Sequence, residues 1–218
     1  MTDNRKSGIA LIVGSVGGIL TMAIHPTGAG PLTAGQIAHL SLVSGVAHSL
    51  AIASVIILFL GACGLAQSIA ARDRLSFAAV VVFAFACVAI FIAAAVSGFI
   101  VPAILMHMSH DAPNNELQWR IAIDAIFQIN QAFARIYSVA ASLAVILWSV
   151  SALRNGGLGR ALSAYGCVVS ALIILGIVVG HLRLNVHGMA VVWISQALWF
   201  TLAGVSLLSR PPVGVSAA

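Results

Sequence analysis

The sequence predicts an all-α fold, a polytopic membrane helical bundle of six transmembrane helices with its N- and C-termini in the cytoplasm. Three observations carry this. Of 218 residues, 61% are hydrophobic and only 7% charged, with a mean hydropathy of +1.10. A soluble domain carries about 25% charged residues, so this chain lacks the polar surface to cover a water-soluble globule. The apolar residues fall into six runs, each long enough or nearly so to cross the roughly 30 Å hydrocarbon as a helix. Lysine and arginine are distributed unevenly between the links that join those runs.

The first run, 8–25, follows Arg5 and Lys6 in MTDNRKSGIALIVGSVGGIL. A basic start before a short apolar run imitates a signal peptide, but TMAIHPTGAG offers no A-x-A-like cleavage site, so it reads as an uncleaved helix. Its Gly14 and Gly18 stand in a GxxxG relation that suits close helix approach. The second, third and fourth runs, 40–70, 76–106 and 119–153, exceed the roughly 20 residues a crossing needs and either tilt or continue beyond the bilayer. The fifth and sixth, 160–181 and 188–209, are joined by GHLRLNVHGM at 180–189. The whole chain, 1–218, reads as one integral-membrane domain.

Orientation follows from the basic residues. Arg5, Lys6, Arg72, Arg74, Arg154, Arg160 and Arg210 share one side if the spans alternate, which makes that side cytoplasmic; Arg120, Arg135 and Arg183 remain for the other half. These cations are scattered between apolar runs without a basic stripe, so the charge is topological: the expected partner is the lipid bilayer, not nucleic acid. Cys63, Cys87 and Cys167 lie within apolar runs without CxxC pairing and read as buried small side chains.

All seven histidines map to the outer half of these spans. His25 ends the first span, His39 and His48 begin the second, His107 and His110 end the third, His181 ends the fifth and His187 opens the sixth. Charge topology does not require this, because histidine is mostly neutral at pH 7. Interfacial tolerance of an amphipathic ring explains any one of them; the one-sided set suggests a shared layer.

The fourth span carries a polar stripe. Arg120, Asp124, Gln128, Gln131, Arg135, Ser138 and Ser142 are spaced by three or four and share one face of a helix, with Asn130 and Tyr137 elsewhere. Counting from Arg154 at 1.5 Å per residue, Arg135 stands about 28 Å up the axis, near the outer edge of the hydrocarbon. A layer at that depth can collect His25, His48, Arg135, His181 and His187, with Asp124, Gln128 and Gln131 above it. Ionisable groups at membrane depth pair or face a water-filled cavity, so the stripe reads either as an internal hydrogen-bond network or as a binding cavity. Protonation of clustered histidines below about pH 6 would place like charges together and weaken the fold or the site.

Metal chemistry is a further expectation. In HMSHD, His107, His110 and Asp111 share a face if the helix continues, a plausible zinc or copper chelate; Pro102 upstream and the polar DAPNNE downstream argue for an exposed end. A His48–His181 pair could in principle bind a metal, or a b-type haem, which needs two facing imidazoles from different helices. No G-x-S-x-G, H-E-x-x-H or phosphate loop is present in the sequence. SVIILFLGACGLAQ and SLAVILWSVSALRN form a faint repeat, which would make spans two to five a four-helix core flanked by spans one and six.

Through IHPTG, NQAFARIY and GHLRLNVHG, the chain resembles an uncharacterised family of bacterial six-helix inner-membrane proteins. That resemblance implies a multi-pass protein of the inner membrane; it implies no chemistry, and no site residue is carried over from it. Three functions remain open from the residues alone. The first is a site near the periplasmic face for a small ligand or metal ion, with Arg135 as an anion anchor, Asp124 its counter-charge, His48 and His181 as hydrogen-bonding or metal-ligating groups and Gln128 and Gln131 as orienting groups. The second is a small transporter or channel subunit, for which polarity should continue inward, if need be across a homo-oligomer. The third is a structural scaffold with a purely internal polar network.

Overall fold

The computed structural model describes residues 3–26, 33–70, 73–110 and 115–210. The described chain is helical apart from its links: α1 Asp3–Ile24, α2 Ala34–Ala70, α3 Arg74–Ala95, a π-helical turn Val96–Ile100, α4 Val101–His110, α5 Glu116–Asn155, α6 Arg160–Val178 and α7 Val186–Leu208. α3, the π turn and α4 run on as one apolar segment, Arg74–Ser109. With Asp3–Ile24, Gly35–Ile69, Leu117–Asn155, Arg160–Val178 and Val186–Leu208 it makes six segments long and apolar enough to cross a membrane. Their outward faces carry Leu60, Phe77, Phe85, Leu172 and Val178, each more than 60% exposed, which suits lipid and not water.

Each segment packs on the next in sequence, and α7 closes the ring against α1. At the end where α1 starts and α7 finishes, here the basal end, Arg210 donates from Nη1 to the Ser68 carbonyl (3.0 Å). Gly156 and Gly157 turn the chain between α5 and α6 with φ of 79° and 102°, a region that favours glycine. Helix lengths then set the shape of the opposite, distal end. α2 and α5 have 37 and 40 residues, whereas α1, α6 and α7 have 22, 19 and 23. At 1.5 Å per residue, α2, α4 and α5 reach roughly 20 Å beyond the short helices.

The core lies in the basal half. Trp148 of α5 stacks on Trp199 of α7 (ring centroids 6.2 Å) and meets Phe83 of α3 and Phe200 of α7 edge-on at 5.5 and 6.0 Å. α7 is thus part of the core. The outermost helix is α6, whose buried residues are Ser163, Gly166, Ser170 and Ile173. The expected four-helix core of spans two to five is therefore corrected: α6 buries one edge of three small residues and Ile173, while α7 brings Trp193, Gln196, Trp199 and Phe200 inward.

The π turn has a traceable cause. Val101 donates its amide to Val96, five residues back. The next amide in that register would serve Ser97, but position 102 is proline, which has no N–H. The Ser97 carbonyl is taken instead by the Ser44 hydroxyl of α2 (3.1 Å). A wide turn in mid-helix next to proline commonly marks a functional region.

At the basal end Asp73 caps α3 and ties it to α5. Its Oδ1 accepts from the Leu75 amide (3.2 Å), and its Oδ2 accepts from the Ser151 hydroxyl and from Asn155 Nδ2 (3.1 Å). The Ser151 hydrogen bond, outweighing the opposing effect of desolvation, holds the carboxyl below its ordinary range. A carboxyl depressed on folding contributes stability above its unfolded value of about 3.9 and loses it as the pH falls through the folded value. Thermal stability in detergent should therefore fall between pH 5 and lower values, and Asp73→Asn should flatten that fall while lowering stability at pH 7. An unchanged slope in Asp73→Asn would remove Asp73 as its source.

Candidate functional site

Beneath the distal projection, α1, α2, α3, the π turn, α4, α5 and α7 surround a cavity of about 470 Å³. This is within the usual range for small-molecule sites. Ala51, Ile90, Ala134 and Trp193 line its deeper part, and Leu40, Leu105, Phe127 and Val186 its distal part. The wall is mainly apolar. Among the described residues its polar groups are neutral amides, hydroxyls and two imidazoles, with no Asp, Glu, Lys or Arg.

The imidazoles are His25, just past α1, and His48 of α2, in a T-shaped contact with ring centroids 5.1 Å apart. His48 is seated by the π turn. A Cβ at Gly98 would collide with the Cβ of His48 and lie 2.8 Å from its Cγ, so only glycine lets the ring lie there. His48 Nδ1 donates to the Ser44 carbonyl one turn back (2.7 Å), and Ser44 is the residue whose hydroxyl holds Ser97. His25 Nδ1 donates to the Pro26 carbonyl (3.2 Å). A carbonyl can only accept, so each neutral ring carries its proton on Nδ1 and a lone pair on Nε2.

α5 adds Asn130 and Gln131 to the wall, and the Asn130 Oδ1 is buried without a hydrogen-bond partner. Below the cavity Tyr137 stacks on Trp193 (5.6 Å). Its hydroxyl donates to Gln196 Oε1 (3.1 Å), and Gln196 Nε2 donates to Ser142 Oγ (3.2 Å). These groups satisfy one another and close the floor.

Of the residues singled out in the sequence, His25, His48 and Gln131 line this cavity; Arg135, Asp124, Gln128, His181 and His187 do not. Arg135, Asp124 and Gln128 are exposed on α5. The buried face of α5, marked by Ala134, Tyr137, Ala141, Val145 and Trp148, is rotated from the centre of the polar stripe by well over half a right angle at 100° per residue. The stripe therefore straddles the rim of the packed face: Ser138 and Ser142 fall inside, Arg135 just outside. Asp124 and Gln128 also lie where α5 has outrun α1, α6 and α7. Asn130, set apart from the stripe by its angle, is on the cavity side for the same reason.

The link GHLRLNVHGM does reach the cavity, through its apolar residues. Gly180 has a φ of 77°, and Leu182 donates its amide to the Gly176 carbonyl (2.8 Å). Leu184 is buried, and Leu184, Asn185 and Val186 line the cavity, while His181, Arg183 and His187 are exposed. Alternation of polar and apolar residues from His181 to His187 is the signal for this two-sided link. Asn185 caps α7 by accepting from the Gly188 amide (3.0 Å).

His181 does not line the cavity that His48 faces, so these two do not oppose each other across it. In HMSHD, His107 is exposed, while Asp111 and the side chain of His110 lie outside the described residues. Among the described residues no group of three His, Cys, Asp or Glu side chains could enclose a metal ion. Among the described residues, zinc or copper would find two imidazoles here and no third ligand of those kinds. Of the histidines expected to share one layer, only His25 and His48 line the cavity. No protein-family model, no curated protein and no solved structure matches the chain.

Proposed function

We propose that this is a multi-pass protein of the bacterial inner membrane, both chain ends cytoplasmic, which binds a small, uncharged, largely apolar ligand in the cavity of its periplasmic half. The carrying observation is the cavity itself: about 470 Å³, apolar over most of its wall, with neutral polar groups gathered around His25 and His48 and, among the described residues, no charged side chain to hold an ion. The basal end collects Arg5, Lys6, Arg74, Arg154, Arg160 and Arg210, which supports a cytoplasmic placement of that end. Arg135 then stands at the outer headgroup level, where a long cationic side chain reaches water while its stem lies along apolar surface. The closed floor of Tyr137, Gln196 and Ser142 favours a binding site over a through-path.

The test uses purified full-length protein in mild detergent, native mass spectrometry for co-purified lipophiles, and 4-heptylanisole as an added uncharged probe. Ala51→Phe places a ring in the cavity and should reduce probe affinity at least about ten-fold, a change of roughly 1.4 kcal/mol, without lowering thermal stability. Absence of both co-purified and added lipophile from the wild-type protein would overturn the reading.

A further inference from the structure

The geometry points to a hydroxyl-bearing lipophile, such as a phenol, quinol or long-chain alcohol, as the class of ligand, with an O–H donated to an Nε2 lone pair of the His25–His48 pair. This rests on the cavity being a ligand site and adds the chemistry of what it selects. Two imidazoles near a cavity are by themselves ambiguous, because each nitrogen can donate or accept. Here the ambiguity is removed twice over. The Nδ1 of His48 lies 2.7 Å from the Ser44 carbonyl and that of His25 3.2 Å from the Pro26 carbonyl. Both protons are committed to backbone, and both Nε2 atoms are left as acceptors. No hydrogen bond to either Nε2 is found among the described residues.

The seat of His48 fixes the direction as well. Its Cβ, Cγ and Nδ1 edge lies over Gly98, so the opposite edge, with Nε2, is the one free to meet His25 and the cavity. The π turn contributes twice to this: it brings Gly98 under the ring, and it frees the Ser97 carbonyl that fixes Ser44. The unpartnered Oδ1 of Asn130 in the same wall is a further acceptor. Acceptors thus gather in a wall to which the described residues contribute no acidic side chain. Their complement is a neutral donor. A ketone or ether of the same shape would leave them unpaired, and a site built to hydrogen-bond a hydroxyl rejects the analogue that lacks it. A divalent metal would also seek lone pairs, but the two neutral imidazoles that the described residues offer leave its charge uncompensated and its coordination incomplete.

The experiment compares 4-heptylphenol with 4-heptylanisole, in which a methyl group replaces the donor proton, on the full-length protein in detergent by calorimetry. Wild type should prefer the phenol at least about ten-fold. His25→Leu, at the half-buried position just past α1, and the His25→Leu/His48→Leu double variant should lose that preference while still binding the anisole. In ¹⁵N spectra of labelled histidine, the Nε2 resonances of the pair should be those of unprotonated acceptors and should shift on adding the phenol alone. Equal affinity of wild type for the two probes would overturn the inference and leave the apolar site standing. So would a preference surviving in both variants, or stoichiometric zinc or copper on the pair that excludes the phenol. Binding of neither probe would overturn the cavity reading together with it.

Discussion

Trp148→Ala should be the most damaging single substitution in the core, costing about 3–5 kcal/mol and lowering the thermal midpoint by roughly 10 °C or more. The ring is fully buried and is the hub of the basal aromatic cluster, touching Phe83, Trp199 and Phe200 on two other helices. Within a bilayer the hydrophobic effect no longer drives helices together, so association depends on packing. A void at 148 would remove contacts from α3, α5 and α7 at once. The indole Nε1 is buried without a partner, so no hydrogen bond is lost. Trp148→Phe keeps an aromatic ring, discards an unsatisfied donor, and should recover most of the loss. Leu172→Ala on the exposed face of α6 should stay within about 0.5 kcal/mol of wild type. Equal damage from Trp148→Phe and Trp148→Ala in reversible unfolding in detergent would show that the ring is not what holds the cluster.

Gly14→Leu should come next, at about 3 kcal/mol or more, through overpacking. A Cβ on Gly14 would lie 2.7 Å from the Leu58 amide nitrogen and 2.8 Å from its Cα, and a Cβ on Gly61 would lie 2.7 Å from the Leu11 nitrogen. These are backbone atoms, which cannot rotate away. α1 is also wedged on its other side: Cβ atoms on Gly8 and Gly204 would each lie 2.7 Å from the other's carbonyl oxygen. A shift that relieves α2 therefore presses on α7. Gly45→Ala, where a Cβ would meet nothing within 4 Å, is the control and should hold or raise stability through helix propensity. The comparison is a folded-fraction measurement at fixed temperature; indistinguishable values for the two variants would remove close packing of α1 as the explanation.

Gly14 shows how a local motif can be legible and its role not. GxxxG announces close approach, and Gly14 does meet α2. Gly18 instead faces Trp193 of α7. One motif thus serves two partners, which its spacing does not say. Pro102 and Gly98 similarly mark an irregularity in the third span. That the irregularity seats His48 depends on α2 passing beside it. On α5 the three-to-four spacing groups Arg135 with Gln131 and Ser138 correctly as neighbours on a surface. It does not say which part of that surface the other helices cover, and a rotation of less than one residue step decides between Arg135 outside and Ser138 inside.

What the sequence by itself determined was whatever adds up along one segment. Apolar length per run set six helices able to cross a membrane, hydropathy bounded their ends, and the excess length of α2, the α3–α4 segment and α5 was visible as run length. The tertiary structure alone decided which polar groups meet. His25 and His48 converge because α1 ends beside the fourth turn of α2, and Asp124 stands apart because α1, α6 and α7 stop short of it. Relative rotation and rise between helices are set by packing at their contacts, such as the glycine seams of α1, the Trp148 cluster and the Asp73 cap. Those contacts join residues far apart in the chain, and the periodicity of a single helix carries no record of them.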